Sequence, residues 1–373
     1  MPAITRNSVP VARRQLLAEP AKLVVALVAV GAAVALVLLL SGLRRGIGEQ
    51  VTVYLDHQPS VLVGQTGARD FLSQTSVLPE RVAAQIADVP GVADAAPISE
   101  GYAMLTLHGR RVLTLLIGYD PGRRGGPWQL AAGREPRNGE IVLDRVLAGE
   151  HDLEVGSTLP YGGRELTVVG LSRGTSGFMT PLAFTTRATA NALTERPKTA
   201  TFVLVTPKPG AAAEALTRRI DAGVPGVSAV LRDTLAARDR DLVVGAFSGP
   251  LLAMVTIAAV VAVMVIALTV YTSTRDRSRE YATMKAVGLG RRSLLRLVAV
   301  QAGVLALAGS ALGVLLAVAA KRGVAEWAPK YLIALTPADI AAMALAALAF
   351  ALFAGSIPAR YLARLDPAEA FRR

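Results

Sequence analysis

The stretch RDRSREYATMKAVGLGRR, which runs from Arg275 to Arg292, lies between two apolar segments that are each long enough to cross a lipid bilayer. Its dense basic charge, immediately beside a membrane segment, is typical of the cytoplasmic side. Four apolar side chains also recur near helical spacing within it: Tyr281, Met284, Val287 and Leu289. The stretch therefore predicts a charged cytoplasmic helix with one apolar stripe. A solvated loop that only orients the chain is the alternative, and it explains the arginines but not the stripe.

The composition is that of a membrane protein with a soluble part. The chain has 373 residues, of which 52% are hydrophobic and only 5% aromatic, and its mean hydropathy is +0.44. It contains no cysteine, which excludes a disulfide framework, a thiol nucleophile and a thiolate metal site. The absence of cysteine does not indicate whether the protein is in an oxidising or a reducing compartment.

The positive charge is unevenly distributed. Residues 1–22, 272–296 and 358–373 together carry 15 basic and 5 acidic residues, whereas residues 44–249 carry 22 basic and 21 acidic ones. Most of the net charge of +12 therefore lies in three segments that would share one face of a membrane. This distribution argues against nucleic acid as a partner, in spite of the high isoelectric point.

Four apolar segments predict four transmembrane helices, at residues 23–43, 250–271, 297–320 and 340–357. They place an amphipathic segment (1–22), a loop (272–296) and a tail (358–373) in the cytoplasm, and a short loop (321–339) outside. Thr336 and Pro337 predict the start of the last helix. No span carries a charge at its centre, so no ion path is indicated.

The first apolar segment also has a competing interpretation. Arg13 and Arg14, followed by two leucines, resemble the start of a twin-arginine signal peptide. The run from Leu23 to Leu40 is long, however, and no small-residue cleavage site follows it before Arg44, which favours an uncleaved anchor.

In the third span, Gly309 and Gly313 form a Gly-x-x-x-Gly pair that would allow close packing of helices.

Residues 44–249 predict an extracytoplasmic α+β domain between the first two spans. Its α/β flanks are residues 44–101 and 201–232, its β-rich insert is 102–200, and a stalk helix covers 233–249. Val51 to Val63 predicts two strands broken at Pro59, and Pro79 to Asp88 predicts a helix with proline at its first position. The turn VPGV occurs at 89–92 and at 224–227. It indicates that the flanks are a weak internal repeat that forms one subdomain, with chance as the alternative.

The residues that would carry catalysis are not arranged for it. No lysine follows a glycine, so the chain has no phosphate-binding P-loop. His57, His108 and His151 are far apart in sequence, which leaves a metal site assembled by the fold as a minor alternative. The segment from Gly174 to Gly177 departs from the Gly-x-Ser-x-Gly pattern of hydrolases and predicts a flexible loop. We expect no catalytic, cofactor or metal site in this chain.

Two motifs resemble the FtsX-like permeases of ABC transporters, of the MacB, lipoprotein-releasing and DevC-like types. In the first, Asp276 to Glu280 and then Met284 to Gly288 are similar to the family pattern of glutamate, arginine, any residue, arginine and glutamate, followed later by a basic residue, alanine and glycine. Asp276 and Tyr281 depart from the usual residues, as does Gln301 at the start of the third span. In the second, Pro358 to Arg360 and Leu365 to Ala370 match the family ending.

The resemblance covers the whole chain and implies a role for the central loop. In this family the loop is a coupling helix seated on an ATPase, so its implied contact residues are Arg277, Arg279, Glu280, Met284, Lys285 and Gly288. Asp366 and Pro367 would belong to the tail motif. Because this chain has no P-loop, the resemblance implies that ATP and magnesium bind to a separate ATP-binding subunit.

The implied function is that of the permease subunit of an ABC transporter in the cytoplasmic membrane, with no enzymatic activity of its own. The resemblance implies a second permease copy, with a homodimer as the expected form, contact with membrane lipid, and an adaptor or lipoprotein as a further partner. Export or extraction of a lipidic, lipoprotein or hydrophobic substrate is the leading interpretation. The alternative is a signalling scaffold, like FtsX itself, that controls a cell-wall enzyme outside the membrane.

Overall fold

A computed structural model describes residues 20–73, 76–276 and 291–364. The chain divides into two compact units. One unit, here called the helical unit, lies in residues 1–46, 248–328 and 332–373. The other, here called the outer domain, comprises residues 47–247 together with residues 329–331.

Eight α-helices occur in the described ranges: α1 Pro20–Thr52, α2 Arg81–Ala87, α3 Arg145–Glu150, α4 Arg187–Leu193, α5 Ala213–Gly223, α6 Arg232–Asp276, α7 Arg291–Trp327 and α8 Pro337–Arg364. The strands in these ranges are β1 Val61–Gln65, β2 Leu78–Pro79, β3 Val92–Leu107, β4 Arg110–Tyr119, β5 Leu130–Gly133, β6 Glu140–Asp144, β7 Thr158–Tyr161, β8 Arg164–Ser172, β9 Leu182–Thr186, β10 Thr199–Ala200, β11 Phe202–Pro207 and β12 Val227–Leu231.

Two helices in the described ranges are long and apolar enough to cross a membrane, at Leu23–Thr52 and Ala299–Trp327. A third span results if the helical pieces Arg232–Phe247 and Gly249–Val265, which are separated by a bend, count as one. Pro250 lies inside this helix and explains the bend, because proline cannot donate the backbone hydrogen bond of the preceding turn. The apolar helix Pro337–Phe353 is shorter. The predicted topology of four spans is thus not confirmed.

The helical unit is packed through small residues. Its core contains alanines from three different helices, such as Ala35 of α1, Ala306 of α7 and Ala347 of α8, together with the larger Val34 and Leu38. Small side chains let helix backbones approach closely, which is the usual source of packing energy between helices in a lipid environment.

The outer domain is built on one mixed sheet with the strand order β12-β1-β11-β3-β4-β9-β6-β8-β5, and β7 is paired to β8. The four strands at one end come from the two sequence flanks and are antiparallel. In this order, β1-α2-β3 and β11-α5-β12 interleave as two split βαβ units, the ferredoxin-like arrangement. Ile86 of α2 and Ile220 of α5 are buried against Val61, Val203 and Val205 of the sheet.

The strands of the β-rich insert and those of the flanks belong to one sheet. The sequence predicts a strand that stops at Ile98 and a second from Ala103 to Leu107, whereas β3 runs unbroken from Val92 to Leu107. Its first half pairs with β11 of the flank and its second half with β4 of the insert. Gly101 lies in the middle of this strand. Glycine disfavours strands, but Gly101 is paired with Leu116 of β4, and this pairing outweighs its weak propensity.

Two local predictions near the start of the outer domain also need correction. Val51 to Val63 was predicted as two strands, but α1 extends to Thr52, a 3-10 turn follows at Leu55–His57, and only β1 forms. Alternating valines imitate a strand here, although Val51 is buried as part of a helix. The helix predicted from Pro79 to Asp88 forms as α2, but it begins at Arg81, and Pro79 pairs with Thr199 in a two-stranded sheet.

Candidate functional site

The residues assigned to ATPase coupling lie outside the described residues. These are Arg277, Arg279, Glu280, Met284, Lys285 and Gly288, and the tail residues Asp366 and Pro367 lie outside them as well. The flanking helices are described up to Asp276 and again from Arg291. The coupling assignment therefore stays a prediction.

The predicted Gly309 and Gly313 pair packs against the first helix. A Cβ added at Gly309 would lie 2.5 Å from Cγ1 of Val30, and one at Gly313 would lie 2.7 Å from Cβ of Val34. Gly31 faces them from α1, where a Cβ would lie 3.3 Å from the carbonyl oxygen of Gly309. Real Cβ atoms essentially never approach as closely as at Gly309 and Gly313, so a side chain there requires the helices to shift, whereas at Gly31 the neighbours would have to move by only a few tenths of an ångström.

A second glycine pair, which sequence reasoning missed, packs α1 against the segment before α8. A Cβ at Gly42 would lie 2.9 Å from Ile333 and Leu335 side-chain atoms, and one at Gly46 would overlap the carbonyl oxygen of Leu332. The N–H of Ala334 also donates to the carbonyl of Gly42 at 3.0 Å. The signal was readable, because Gly42 and Gly46 are four residues apart at the end of an apolar run.

The start of α8 is capped as its sequence predicts. Pro337 is the first helical residue, and the N–H of Asp339 donates to the Thr336 hydroxyl at 3.2 Å. The Thr336 hydroxyl and N–H in turn donate to Oδ2 of Asp339, at 2.7 and 3.1 Å. This reciprocal capping box satisfies backbone donors that a helix start otherwise leaves without partners. Arg45 of α1 adds an ion pair to Oδ1 of the same carboxylate.

Gln50, near the end of α1, connects three segments of the outer domain. Its side chain is 7% exposed, and Nε2 donates to the carbonyl of Lys330 at 2.7 Å and to that of Ser176 at 3.3 Å. Arg240 of α6 donates to the carbonyl of Gly48 at 3.4 Å. The last turns of α1 are therefore bonded to the loop between β8 and β9, to the α7–α8 connection and to α6.

The loop between β8 and β9 is held by a buried polar network, so the prediction of a flexible loop at Gly174 to Gly177 is wrong. Asp144 is 1% exposed, and its Oδ1 accepts from the N–H groups of Val146 and Leu147, which makes it the N-cap of α3. Oδ1 also accepts from the Ser176 hydroxyl at 2.9 Å, and Oδ2 accepts from the Thr175 hydroxyl at 2.7 Å. A buried carboxylate that receives several hydrogen bonds anchors the groups around it.

This loop forms one wall of a cleft of about 510 Å³ in the outer domain, here called the main cleft. The apolar side of the main cleft is formed by Val112, Val146, Leu147, Phe178, Met179 and Pro181. Its charged groups are Arg110, Asp144, Glu150, His151 and Lys330. The volume lies within the range of small-molecule sites, about 300 to 1,000 Å³. Apolar walls with a few placed charges suit an amphipathic ligand.

A smaller cleft of about 210 Å³ is also lined by residues of this loop. Its lining is mostly apolar and includes Tyr102, Leu182, Val243 and Phe247 together with Phe178 and Met179. The rings of Phe178 and Phe247 meet edge to face at 5.5 Å, which couples the loop to α6 just before the apolar part of that helix.

Asp239 of α6 is a buried carboxylate with an altered acidity. It is 0% exposed, and its Oδ1 accepts from the N–H groups of Phe71 at 2.9 Å and Leu72 at 3.3 Å. Burial raises the pKa of Asp239 to about 7, with a smaller contribution from Asp70, although the two backbone hydrogen bonds oppose the rise. This group therefore changes charge near neutral pH.

The three histidines are not brought together for metal binding. His57 stacks on Trp128 at 3.9 Å between ring centres, and His151 lies at the main cleft. In the part of the chain that the structure describes, no group of three or more His, Cys, Asp or Glu side chains could hold a metal ion.

Long apolar helices and a mixed-sheet domain inserted after the first of them are the features of a membrane protein with a large domain between its first two apolar segments. Comparison with known families supports this class over almost the whole chain. The model described as FtsX-like permease C-terminal matches residues 252–367, and the MacB-like periplasmic core domain matches residues 23–222. The chain therefore belongs to the ABC transporter permeases of the FtsX/MacB type.

Relatives with similar length carry the same family name. A Mycobacterium tuberculosis protein named as an uncharacterized ABC transporter permease is 26% identical over 354 residues, which cover 94% of this chain and 95% of the relative. A Mycobacterium bovis protein of the same description is 26% identical over 360 residues, with the same coverage.

Two solved structures resemble the outer part of the chain. The periplasmic region of MacB from Actinobacillus actinomycetemcomitans has a TM-score of 0.38 and 15% identity, and covers 52% of this chain and 94% of that one. The extracellular domain of the transporter YknZ from Gram-positive bacteria has a TM-score of 0.37 and 10% identity, with coverage of 46% and 98%.

Proposed function

We propose that this permease works as a homodimer of four-span subunits in the cytoplasmic membrane. A separate ATP-binding subunit, which binds ATP and magnesium, drives movements of the outer domain. The loop 272–296 would seat on that subunit through Arg277, Arg279, Glu280, Met284, Lys285 and Gly288, and the tail with Asp366 and Pro367 would lie beside it. The distribution of basic charge supports this topology, because the three basic segments then share the cytoplasmic side.

One observation carries the proposal that movement reaches the outer domain. Helix α1 has no break between its apolar residues and Gln50, and Gln50 bonds to the loop of the main cleft and to the carbonyl of Lys330. A rotation or shift of α1 would therefore act directly on the cleft wall. Arg240 bonds α6 to the same turn of α1, which supports a joint movement of both helices.

The substrate class we propose is lipidic, lipid-anchored or hydrophobic, and it is handled at the outer face. The apolar spans offer few polar groups to replace the water that a polar solute would lose on entering them. Thr256, Gln301 and Ser310 are among the few polar side chains there. A device that works on a ligand outside the hydrocarbon needs no continuous aqueous channel, and an adaptor or lipoprotein would receive the product.

The coupling proposal is tested by charge reversal in the loop. Glu280→Lys adds a positive charge among the arginines. Gly288→Val places a β-branched residue where the loop helix is predicted to end, at a backbone conformation that favours glycine. We expect both variants to reach the membrane but to lose copurification with the ATP-binding subunit or its stimulation. Glu326→Lys, at an exposed site near the end of α7, is the matched control and should retain both. Normal coupling in both loop variants would refute the assignment.

A further inference from the structure

Resting on the proposed function above, we propose that the main cleft binds a single anionic amphiphile of the membrane. Its acyl chain would lie against the apolar wall, and its phosphate would lie at Arg110 and Lys330. The apolar wall and these two cations line one cavity of about 510 Å³. An acyl chain alone would not need the cations, and a free phosphate would not need the apolar wall.

The charges at the cleft favour an anion. Asp144 is 1% exposed and accepts hydrogen bonds from two backbone N–H groups and two hydroxyls, so its oxygens are occupied within the protein. Glu150 pairs with Lys330 at 3.3 Å, and the Lys330 side chain is still 51% exposed. Within the described residues, Arg110 is in no ion pair and is exposed. Among the accessible charged groups of the lining there are thus two cations, Arg110 and Lys330, and one carboxylate, Glu150.

The position of the cleft in the chain favours a lipid as the source of that anion. Lys330 and Tyr331 belong to the connection between the apolar helices α7 and α8. Gln50, near the end of α1, bonds to Lys330 and to the cleft loop. A basic side chain three residues beyond a membrane-spanning helix would be within reach of anionic headgroups, which attract it.

Met179 provides an independent observation at the same site. It is 73% exposed, and its φ of +59° lies in the left-handed region that non-glycine residues rarely adopt. Such strain persists only where the surroundings impose it and often marks a site of binding. Here it holds a flexible thioether at the mouth of the main cleft, and methionine adapts well to apolar ligands of varying shape.

The proposal is tested in proteoliposomes of the full chain. The probes are phosphatidylglycerol with a photoreactive acyl chain and phosphatidylcholine with the same chain, and labelled peptides are mapped by mass spectrometry. We expect phosphatidylglycerol to label the segment 176–181 or residues 330–331 in preference to phosphatidylcholine. Arg110→Gln should weaken this labelling about tenfold, because a hydrogen bond to a charged group is lost. Arg111→Gln, the neighbouring exposed arginine outside the cleft lining, should not change it.

A second variant keeps the test independent of any loss of folding in Arg110→Gln. Met179→Asp places a charge on the apolar wall and should reduce the labelling at the cleft by either lipid, whereas Met104→Asp, at an exposed strand position that is not part of the cleft lining, should not. Equal labelling by both lipids, or labelling only on α1, α6, α7 and α8, would overturn the proposal. Retained stimulation of the ATP-binding subunit in these variants would show that only this inference fails, while the proposed function stands.

Discussion

The guanidinium of Arg45 lies 2.8 Å from Oδ1 of Asp339 and joins α1 to the first turn of α8. The two side chains are 46% and 24% exposed, and ion pairs with such exposure contribute about 0 to 1 kcal/mol. The capping box between Asp339 and Thr336 is the larger effect, since loss of an N-cap costs about 1 kcal/mol. The hydrogen bonds from Thr336 are also the main cause that lowers the pKa of Asp339.

The first prediction concerns this cap. Thr336→Ala should lower the thermal unfolding temperature of the purified chain in detergent, because it removes the acceptor for the Asp339 N–H and two-way support of the helix start. Thr256→Ala is the matched control. The Thr256 hydroxyl only bonds back to Leu252 within α6, so its loss should leave the unfolding temperature nearly unchanged. Equal shifts in the two variants would contradict the role of the cap.

The stabilisation by the Asp339 carboxylate depends on pH. Because the pKa of Asp339 is lowered in the folded chain, its stabilisation is complete above the ordinary carboxyl value of about 4 and is lost as the pH falls through the folded pKa. Thr336→Ala should therefore destabilise the chain less at pH values below the folded pKa than at pH 7. A destabilisation of equal size at both pH values would mean that the cap acts without the Asp339 charge.

The second prediction compares the effects on stability of alanine substitutions at two glycines of α7. Gly313→Ala should destabilise the packing of α1 on α7, since the new Cβ would lie 2.7 Å from Val34 and 2.8 Å from the carbonyl of Gly31. Gly323→Ala meets nothing within 4 Å and should stabilise α7 by up to about 1 kcal/mol through helix propensity. Thermal unfolding of both variants in one detergent measures the difference. The same sign of change in both would refute the packing role.

The third prediction concerns Asp239 and pH. Its folded pKa is raised to about 7, so the folded state keeps a proton that the unfolded state loses above about pH 4. Stability should therefore fall as the pH rises from about 4 to 7 and then level off, by about 1.4 kcal/mol for each unit of pKa difference. Asp239→Asn should flatten this part of the profile. Asp241→Asn, at an exposed position of the same helix, should not, and an unchanged profile in Asp239→Asn would disprove the assignment.

The fourth prediction concerns topology and uses the absence of native cysteine. A cysteine introduced by Arg145→Cys, at an exposed position of the outer domain, should react with a membrane-impermeant maleimide in intact cells or spheroplasts. Lys285→Cys should react only after lysis. Equal labelling of the two before lysis would refute the four-span arrangement.

Sequence features that extend over many residues predicted the class of protein well. The apolar runs, the mixed-charge domain and the motif around Glu280 led to the permease family, because each extends over many residues. Short signals failed where pairing overrode local preference. The runs ending at Ile98 and beginning at Ala103 predict two strands, but both belong to β3. The alternation from Val51 predicts a strand, but Val51 belongs to α1.

The main cleft could not be predicted from the sequence. Arg110, Asp144, Met179 and Lys330 come from a hairpin, a helix cap, a loop and the connection between two apolar helices. No local pattern links them, and only the fold brings them together. The segment at Gly174 was read as flexible because glycine and serine favour loops, although Asp144, far away in sequence, orders it through Thr175 and Ser176.

The proposed function requires the ATP-binding subunit to move the outer domain. Its most direct test is a distance measured by pulsed electron paramagnetic resonance between spin labels on Arg145→Cys in the two copies of the dimer, reconstituted in nanodiscs with the ATP-binding subunit. We expect the distance distribution to shift when ATP binds and to return after hydrolysis. Identical distributions with ATP and with ADP, while the ATP-binding subunit hydrolyses ATP at its normal rate, would contradict it.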